Sequence, residues 1–397
     1  MYSGLVKSRP LADQRLVELL QDLLSEETLP PLDRWFSRRA KALGWSVAEQ
    51  RRLWDSLRRA LTRGYELLDN PLPPQTAWPG FRVILRGRAA EWAVRADQPP
   101  PLEPTLASAG VAPWLGSALE DRCRRSGWSS EDLNRFLAAQ ETPAPVHVRF
   151  RPGNEGQDCA RRLAQAGAVE ASDVEGVLRL SGGRGLESTD DWKNGLVEIQ
   201  DASSQVSLVR LGLRPGQRVW DVCAGHGGKA LLAAQELRGK GALVATDVSE
   251  GKLKVLKERV RRSGWQNIRL LAWDGESLPD FGPEMTSRGG FDRVIVDVPC
   301  TATGTWRRDP EARYRLFPRS LTELSRHQER LLRLGWAALK PGGRIAYVTC
   351  SWLTSEDEDI VAGFVAETGA VLVHQELLGL PAFDANTEFT AVLEKRI

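Results

Sequence analysis

Long apolar runs are missing from this chain. No uninterrupted stretch approaches the roughly eighteen residues that a membrane-spanning helix requires, so a transmembrane protein is not expected. The N-terminal stretch MYSGLVKSRPLADQ has no apolar segment ahead of a small-residue cleavage site, so secretion is not expected and the cytoplasm is. Cysteine is sparse: the five present are an odd number, widely scattered, and do not read as a disulfide framework. No C-x-x-C and no Cys/His pair at ligand spacing occurs, so no metal centre is expected. Charge of one sign is lacking too. The 54 Lys and Arg against 52 Asp and Glu leave a net charge of +2, which excludes a strongly basic coating protein but not an enzyme with one basic face. No internal repeat or low-complexity tract interrupts the sequence.

What is present falls into three regions over the 397 residues, a length that suggests two or three domains. Residues 1–140 carry helical patterns broken by proline clusters at Pro71 to Pro74 and Pro99 to Pro104. Trp35, Leu43, Leu53, Leu57, Leu61 and Leu68 recur at helical spacing, with Arg38, Arg39, Arg51, Arg52, Arg58 and Arg59 between them. These arginines read as a solvated helix face, with RNA contact as the alternative. Residues 141–195 look like a small α/β module. A short alternating run (Val146, Val148, Phe150), a helix-like segment near Cys159 and a strand-like run from Gly176 to Leu180 precede a loop marked by Gly182, Gly183 and Gly185. His147 and Cys159 have no partner at ligand spacing and read as structural.

From 196 to 397, strand-like and helix-like segments alternate. The strand-like runs are Arg218 to Val222, Ala242 to Thr246, Ile268 to Ala272, Asp292 to Val296 and Arg344 to Thr349. Helix-like segments such as Lys229 to Leu237 and Ser249 to Arg262 lie between them, the latter with Ser249 as an N-cap. Such repetition predicts a mostly parallel, doubly wound sheet, in which ligands bind at the carboxyl ends of the strands. Four carboxylates and three cysteines fall at those ends: Asp221 with Cys223, Asp247, Asp274, Asp297 with Cys300, and Cys350. The turn Cys223-Ala224-Gly225-His226-Gly227-Gly228-Lys229 is neither G-x-G-x-x-G nor a Walker loop. Its glycines let backbone approach a ligand, and Asp247 at the next strand tip suits ribose hydroxyls, so a nucleoside-containing cofactor fits.

Cys300 directly follows a proline on one strand exit, and Cys350 ends another strand; this arrangement suggests a thiolate nucleophile with an assisting thiol. The stretch Thr301 to Pro310 reads as a flexible loop. Its Trp306, Arg307 and Arg308, with Arg313, Arg315 and Arg319 beyond, offer base stacking and phosphate contacts.

These motifs resemble those of the RNA (cytosine-5) methyltransferases of the RsmB, Nop and Sun type. Asp221 to Lys229 resembles the family's D-x-C-A-A-P-G-G-K turn, and Asp297-Val298-Pro299-Cys300 through Thr305 its D-A-P-C-S-G-T-G. Tyr347 to Ser351 resembles Y-S-T-C-S, with Glu356 and Glu358 placed like its E-x-N-E, and Gln200 to Gln205 is similar to its Q-D-A-S-S/A-Q. The resemblance runs from about 145 to the C-terminus.

It implies a Rossmann-like S-adenosylmethionine-dependent methyltransferase domain, preceded by a small RRM-like α/β module and an N-terminal helical RNA-binding region. By the same resemblance, Cys223, Ala224, Gly225, His226, Gly227, Gly228, Lys229, Asp247, Asp274 and Asp297 hold S-adenosyl-L-methionine. Cys350 is the implied nucleophile toward cytosine carbon 6, and Cys300 aids product release. Asp297 and Lys229 complete the catalytic set. The implied partner is small-subunit rRNA, with tRNA as the alternative substrate, and the chain is expected to act as a monomer. A DNA cytosine-5 enzyme would lack the second strand-end cysteine, so Cys350 argues against one; a non-catalytic ribosome-assembly factor is the alternative from another class. The family's Ala-Pro is Gly225-His226 here, which costs the turn proline's rigidity, and His226 is read as exposed and non-catalytic.

Overall fold

The computed structural model describes residues 13–67, 78–181, 185–282 and 289–397. Leu68, the Pro71 to Pro74 cluster, Gly182 and Gly183 lie outside the described residues. The chain forms two compact units, Met1–Pro143 with Trp306–Ser320, and Ala144–Thr305 with Leu321–Ile397.

The first unit is helical. Asp13 accepts the Arg15 amide to cap Gln14–Ser25, and Ser46 with Glu49 forms a reciprocal capping box for Val47–Thr62. Leucines at three- and four-residue spacing (Leu16, Leu20, Leu23; Leu53, Leu57, Leu61) turn one stripe of each helix into a core shared with Trp35, Phe36, Phe81 and Trp92. Arg58 does not join the solvated face expected of it. It is buried and donates to the Glu141 carbonyl at 2.6 Å.

The segment 306–320 corrects the reading of a flexible arginine loop. Tyr314 inserts into the helical core, 4.3 Å from Phe81 between ring centroids, with its hydroxyl donating to the Leu61 carbonyl. Arg313 is buried and donates to the carbonyls of Thr62 (3.4 Å), Ala109 (3.2 Å) and Trp306 (3.1 Å). Gly110, at φ +70°, is required there, because a Cβ would come within 1.7 Å of the Arg313 guanidinium. Arg307 is buried as well, donating to Thr142 Oγ1 and the Pro143 carbonyl, both at 2.9 Å. Buried and bonded to protein oxygens, these two guanidiniums are not presented to a phosphate. Of the cluster, only Arg308, Arg315 and Arg319 keep appreciable exposure.

The second unit begins with a four-stranded antiparallel sheet of order β2-β3-β1-β4, formed by β1 (His147–Phe150), β2 (Val169–Ala171), β3 (Leu178–Leu180) and β4 (Val197–Ile199). With helices Asn154–Gln165 and Asp190–Lys193 the element order is β-α-β-β-α-β. The fourth strand lies past residue 195, so this module extends to Ile199 because β4 pairs along β1. One sheet face packs Val148, Phe150, Val197 and Ile199 onto its own helices. The other face carries His147, Arg149 and Glu198, all buried. Arg149 donates to Gln200 (2.6 Å) and Gln235 (2.5 Å), while Glu198 accepts from Arg259 at 2.9 Å and from Arg262. That face is spent on contacts with the helices Gly228–Glu236 and Glu250–Ser263.

The larger sheet has seven strands in the order β10-β11-β9-β8-β5-β6-β7. The strands are β5 (Arg218–Asp221), β6 (Ala242–Asp247), β7 (Ile268–Ala272), β8 (Phe291–Asp297), β9 (Leu339–Thr349), β10 (Val371–Leu378) and β11 (Glu388–Glu394). β5 to β9 pair in parallel, and β10 and β11 add an antiparallel edge. Both faces are covered by apolar side chains, with Trp220, Val294, Val296 and Tyr347 on one and Val219, Leu243, Ile295 and Val348 on the other. The chain builds outward from β5 in one direction through β7 and resumes on β5's other side with β8. That reversal places a crevice beyond the carboxyl ends of the central strands.

Candidate active site

The exit from β5 builds a tight cradle. The Ala224 amide continues the ladder to the Thr246 carbonyl at 2.8 Å, and the Gly227 amide closes a turn on the Ala224 carbonyl at 2.8 Å. Gly225 and Gly227 both take left-handed backbone, at φ +56° and +88°. At Gly227 a Cβ would also collide with Leu256 at 2.0 Å, so glycine is demanded twice over. Helix Gly228–Glu236 starts directly after this turn.

Asp247 at the end of β6 is held by two backbone amides, Gly225 at 2.9 Å on Oδ2 and Ser249 at 2.8 Å on Oδ1. Each oxygen keeps a second lone pair for a ligand hydroxyl. Val248 beside it is 75% exposed, an apolar surface next to an aimed carboxylate. Asp274 is exposed just past β7, where the Trp273 amide bonds the Asp247 carbonyl at 3.2 Å. His226 is exposed at the tip of the turn, its carbonyl accepting from Arg259 at 2.7 Å. These features fit an adenosyl group: a carboxylate for ribose, an apolar face for a base, and a glycine turn that admits backbone approach.

Beneath the cradle, Asp221 is fully buried, and neither carboxylate oxygen has a hydrogen-bond partner. Burial, with Asp297 nearby, pushes it up to about 8, so it carries a proton at neutral pH. Burial and Asp221 push the Cys223 thiol up too, which removes it as a nucleophile. A pH signature follows from Asp221. Below about pH 4 the group is protonated folded or unfolded; between there and about 8 only the folded state keeps the proton, so its contribution to stability falls as pH rises and is lost above about 8. The slope is about 1.4 kcal/mol per pH unit at its steepest. Asp221→Asn should flatten the pH 5–8 segment of the denaturation profile; an unchanged slope would show that Asp221 is ionised in the native state.

Lys229, from the first turn of Gly228–Glu236, points its ammonium at three groups: Asp297 Oδ2 (3.0 Å), Glu388 Oε2 (3.1 Å) and Ser204 Oγ (3.5 Å). Burial alone would lower its proton affinity, but the two carboxylates outweigh burial and raise it, so the ammonium is fixed.

The Cys300 and Cys350 sulfurs are 3.3 Å apart, both partly exposed. The loop bearing Cys300 is clamped. Glu356, fully buried, accepts from the Thr301 amide (3.0 Å), the Thr301 hydroxyl (2.5 Å) and Gln328 (2.8 Å), and Gln328 also reaches the Pro299 carbonyl at 3.0 Å. The Gly304 amide ties the loop to the Cys350 carbonyl at 2.9 Å. A hydrogen bond to Cys350, then burial, holds the Cys300 thiol well above its usual range. The two thiols therefore share one hydrogen bond, with either sulfur able to act as its donor.

The structure thus gathers the strand-end residues at one rim of one sheet. Sequence reasoning missed Glu388 and Gln328. Glu388 opens a strand whose buried residues run without a break, so a charged group there was a signal of a buried partner, but nothing in the sequence says that the partner is Lys229.

A parallel sheet of this order, with a glycine turn after its central strand and an oriented carboxylate at the next, is a Rossmann-like fold of the methyltransferase type. Residues 208–388 match the family described as 16S rRNA methyltransferase RsmB/F. The chain is 28% identical over 261 residues to ribosomal RNA small subunit methyltransferase B of Vibrio vulnificus, covering 65% of this chain and 58% of that protein. It is 33% identical over 195 residues to ribosomal RNA small subunit methyltransferase F of Aliivibrio salmonicida, covering 48% of this chain and 40% of that protein. The chain therefore spans about half the length of these curated relatives. Among solved structures, a methyltransferase homolog protein from Pyrococcus horikoshii superposes with a TM-score of 0.56 at 25% identity, over 70% of this chain and 99% of that one. Among the described residues no helix is long and apolar enough to cross a membrane.

Proposed function

We propose that this protein transfers a methyl group from S-adenosyl-L-methionine to carbon 5 of a cytosine in rRNA, the small-subunit rRNA being the substrate favoured by its relatives. The observation that carries the reading is the Cys300–Cys350 pair, 3.3 Å between sulfurs, at the same strand rim as the Lys229–Asp297 pair. Bound at the cradle of Cys223 to Gly228, Asp247 and Asp274, the cofactor supplies an electrophilic methyl group.

Cytosine carbon 5 is too weak a nucleophile to take that methyl unaided. Cys350 adds as thiolate to carbon 6, and the electron pair displaced from the 5,6 double bond makes carbon 5 nucleophilic. Asp297, a third exposed and therefore within reach of a base, orients it together with the Lys229 ammonium 3.0 Å away, whose charge offsets the charge that would otherwise accumulate at ring nitrogen 3. A base, water at this partly exposed rim, then takes the carbon 5 proton; the C–H electron pair re-forms the 5,6 double bond and the Cys350–carbon 6 bond breaks with its pair going to the Cys350 sulfur, beside Cys300. The target base must be unstacked to enter. We assign RNA holding to the helical region, to the exposed arginines Arg315 and Arg319, and to the half-buried Arg308. The four-stranded module is not given the stacking role of an RRM, because the sheet face carrying His147, Arg149 and Glu198 is covered.

The test is transfer of a radiolabelled methyl group to unmodified small-subunit rRNA, with tRNA and duplex DNA in parallel. Label recovered as 5-methylcytosine in rRNA is the expected result. Label in tRNA alone would keep the chemistry and overturn the substrate, and no label on any nucleic acid from folded protein would overturn the reading.

A further inference from the structure

We propose that Glu356 is a positioning residue of this site. Through a one-way chain of three buried hydroxyls, on Thr301, Ser351 and Thr303, it holds Cys300 against Cys350 and so sets how fast the RNA adduct is released. The release step rests on the reaction proposed above, and the inference deepens it.

The direction of the hydroxyl chain follows from counting protons. Glu356 is fully buried: Oε1 accepts from the Thr301 amide at 3.0 Å and from Gln328 at 2.8 Å, and Oε2 accepts from the Thr301 hydroxyl at 2.5 Å. A hydroxyl has one proton to give. With its own given to Glu356, Thr301 Oγ1 can only accept from Ser351 Oγ, 3.3 Å away. The Ser351 proton is then spent, so Thr303 Oγ1, 3.1 Å from Ser351 Oγ, donates to it in turn. The backbone agrees with this direction, since the Trp352 amide donates to Thr303 Oγ1 at 3.0 Å and the Leu353 amide to Ser351 Oγ at 2.9 Å. Hydrogen bonds that run one way polarise and strengthen one another, and here they all run toward the carboxylate.

Thr301 directly follows Cys300 and Ser351 directly follows Cys350. The bond between their hydroxyls therefore joins the exits of β8 and β9 one residue from each sulfur. Gln328 secures the other flank, donating to the Pro299 carbonyl just before Cys300 at 3.0 Å as well as to Glu356. Between these ties the sulfurs stand 3.3 Å apart. Once Cys350 is bonded to carbon 6 its sulfur has no proton, so only the Cys300 S–H can donate across that gap, to the sulfur as it takes back its electron pair. A thiol is a weak donor, and a displacement of about 1 Å in a positioned group can cost about a hundredfold in rate.

Thr301→Val tests this, because valine keeps the shape of threonine and removes only the hydroxyl between Glu356 and Ser351; Thr301→Ser restores that hydroxyl. The direct readout needs no RNA. Phenylarsine oxide condenses its one trivalent arsenic with two thiols and releases water, so it is retained where two sulfurs are held together. Cys300→Ala, which leaves one sulfur of the pair, is the blank. The concentration of a competing dithiol, 2,3-dimercaptopropanol, that strips half of the arsenical from the whole protein reads how well the pair is held. It should fall by about tenfold in Thr301→Val and in Glu356→Gln, and return to within about threefold of wild type in Thr301→Ser. A stripping concentration unchanged in Thr301→Val and Glu356→Gln overturns the proposal, whatever the protein methylates. With RNA, kcat should fall by about tenfold in Thr301→Val, with protein–RNA adduct building up on a denaturing gel and the KM for the cofactor within about twofold. A loss of kcat without adduct would mark the hydroxyl chain as merely structural. Wild-type protein that methylates no RNA, together with a lowered stripping concentration in the variants, would overturn the assigned reaction and leave the positioning of the two sulfurs standing.

Discussion

Cys350→Ala should lower methyl transfer by about a thousandfold or more, the loss expected when a covalent nucleophile is removed and only binding and orientation remain. The substitution deletes one partly exposed sulfur at a strand end and leaves the clamp around the neighbouring loop intact, so the variant should fold and still bind cofactor. Cys300→Ala should behave differently. With the adjacent thiol gone, addition to carbon 6 and methylation proceed but elimination is slowed, and a protein–RNA adduct should survive on a denaturing gel. The 3.3 Å contact makes the two variants a matched pair, because each removes one end of a single interaction. If Cys300→Ala abolished transfer with no adduct while Cys350→Ala trapped one, the roles would be reversed. If neither variant changed transfer, covalent catalysis at this rim would be wrong.

Arg313→Ala should cost the protein about 3–5 kcal/mol, the range for removing a buried, multiply bonded charged group. Three carbonyls, at Thr62, Ala109 and Trp306, would lose a buried donor. The guanidinium also lies over the Trp306 ring, 5.2 Å from its centroid, so packing is lost along with hydrogen bonds. Arg313→Lys should not rescue, since a single ammonium cannot reach three separated carbonyls in the plane of a fork. Equilibrium denaturation reads the effect, and a loss below about 1 kcal/mol would show that Arg313 is solvated after all. The same experiment on Arg319, which is exposed, should be near neutral in stability.

Local chemistry made much of this protein legible from its residues alone. Alternating strand and helix patterns specify a parallel sheet because each strand end must be followed by a crossover. The carboxylates and cysteines at Asp221, Asp247, Asp297, Cys300 and Cys350 stand out because strand ends are where such a sheet binds ligands. The glycine turn was readable for the same reason: positive φ at Gly225 and Gly227 is a property of short sequence.

What resisted were partnerships between distant residues. Arg307 and Arg313 look like phosphate contacts in sequence, since an arginine in a loop has no visible partner. Only packing showed that their partners are backbone carbonyls around Thr62, Ala109 and Thr142, groups every sequence possesses and none advertises. The covered face of the four-stranded module was hidden likewise, because alternation in β1 and β4 marks two faces without saying what lies against each. Glu388 is the sharpest case. The sequence by itself determined the kind of sheet, the rim and the chemistry that collects there, because these follow from local periodicity and residue type. Tertiary structure alone decided which carboxylate shares the lysine and which arginines are buried, because burial and charge pairing are set by what approaches in space.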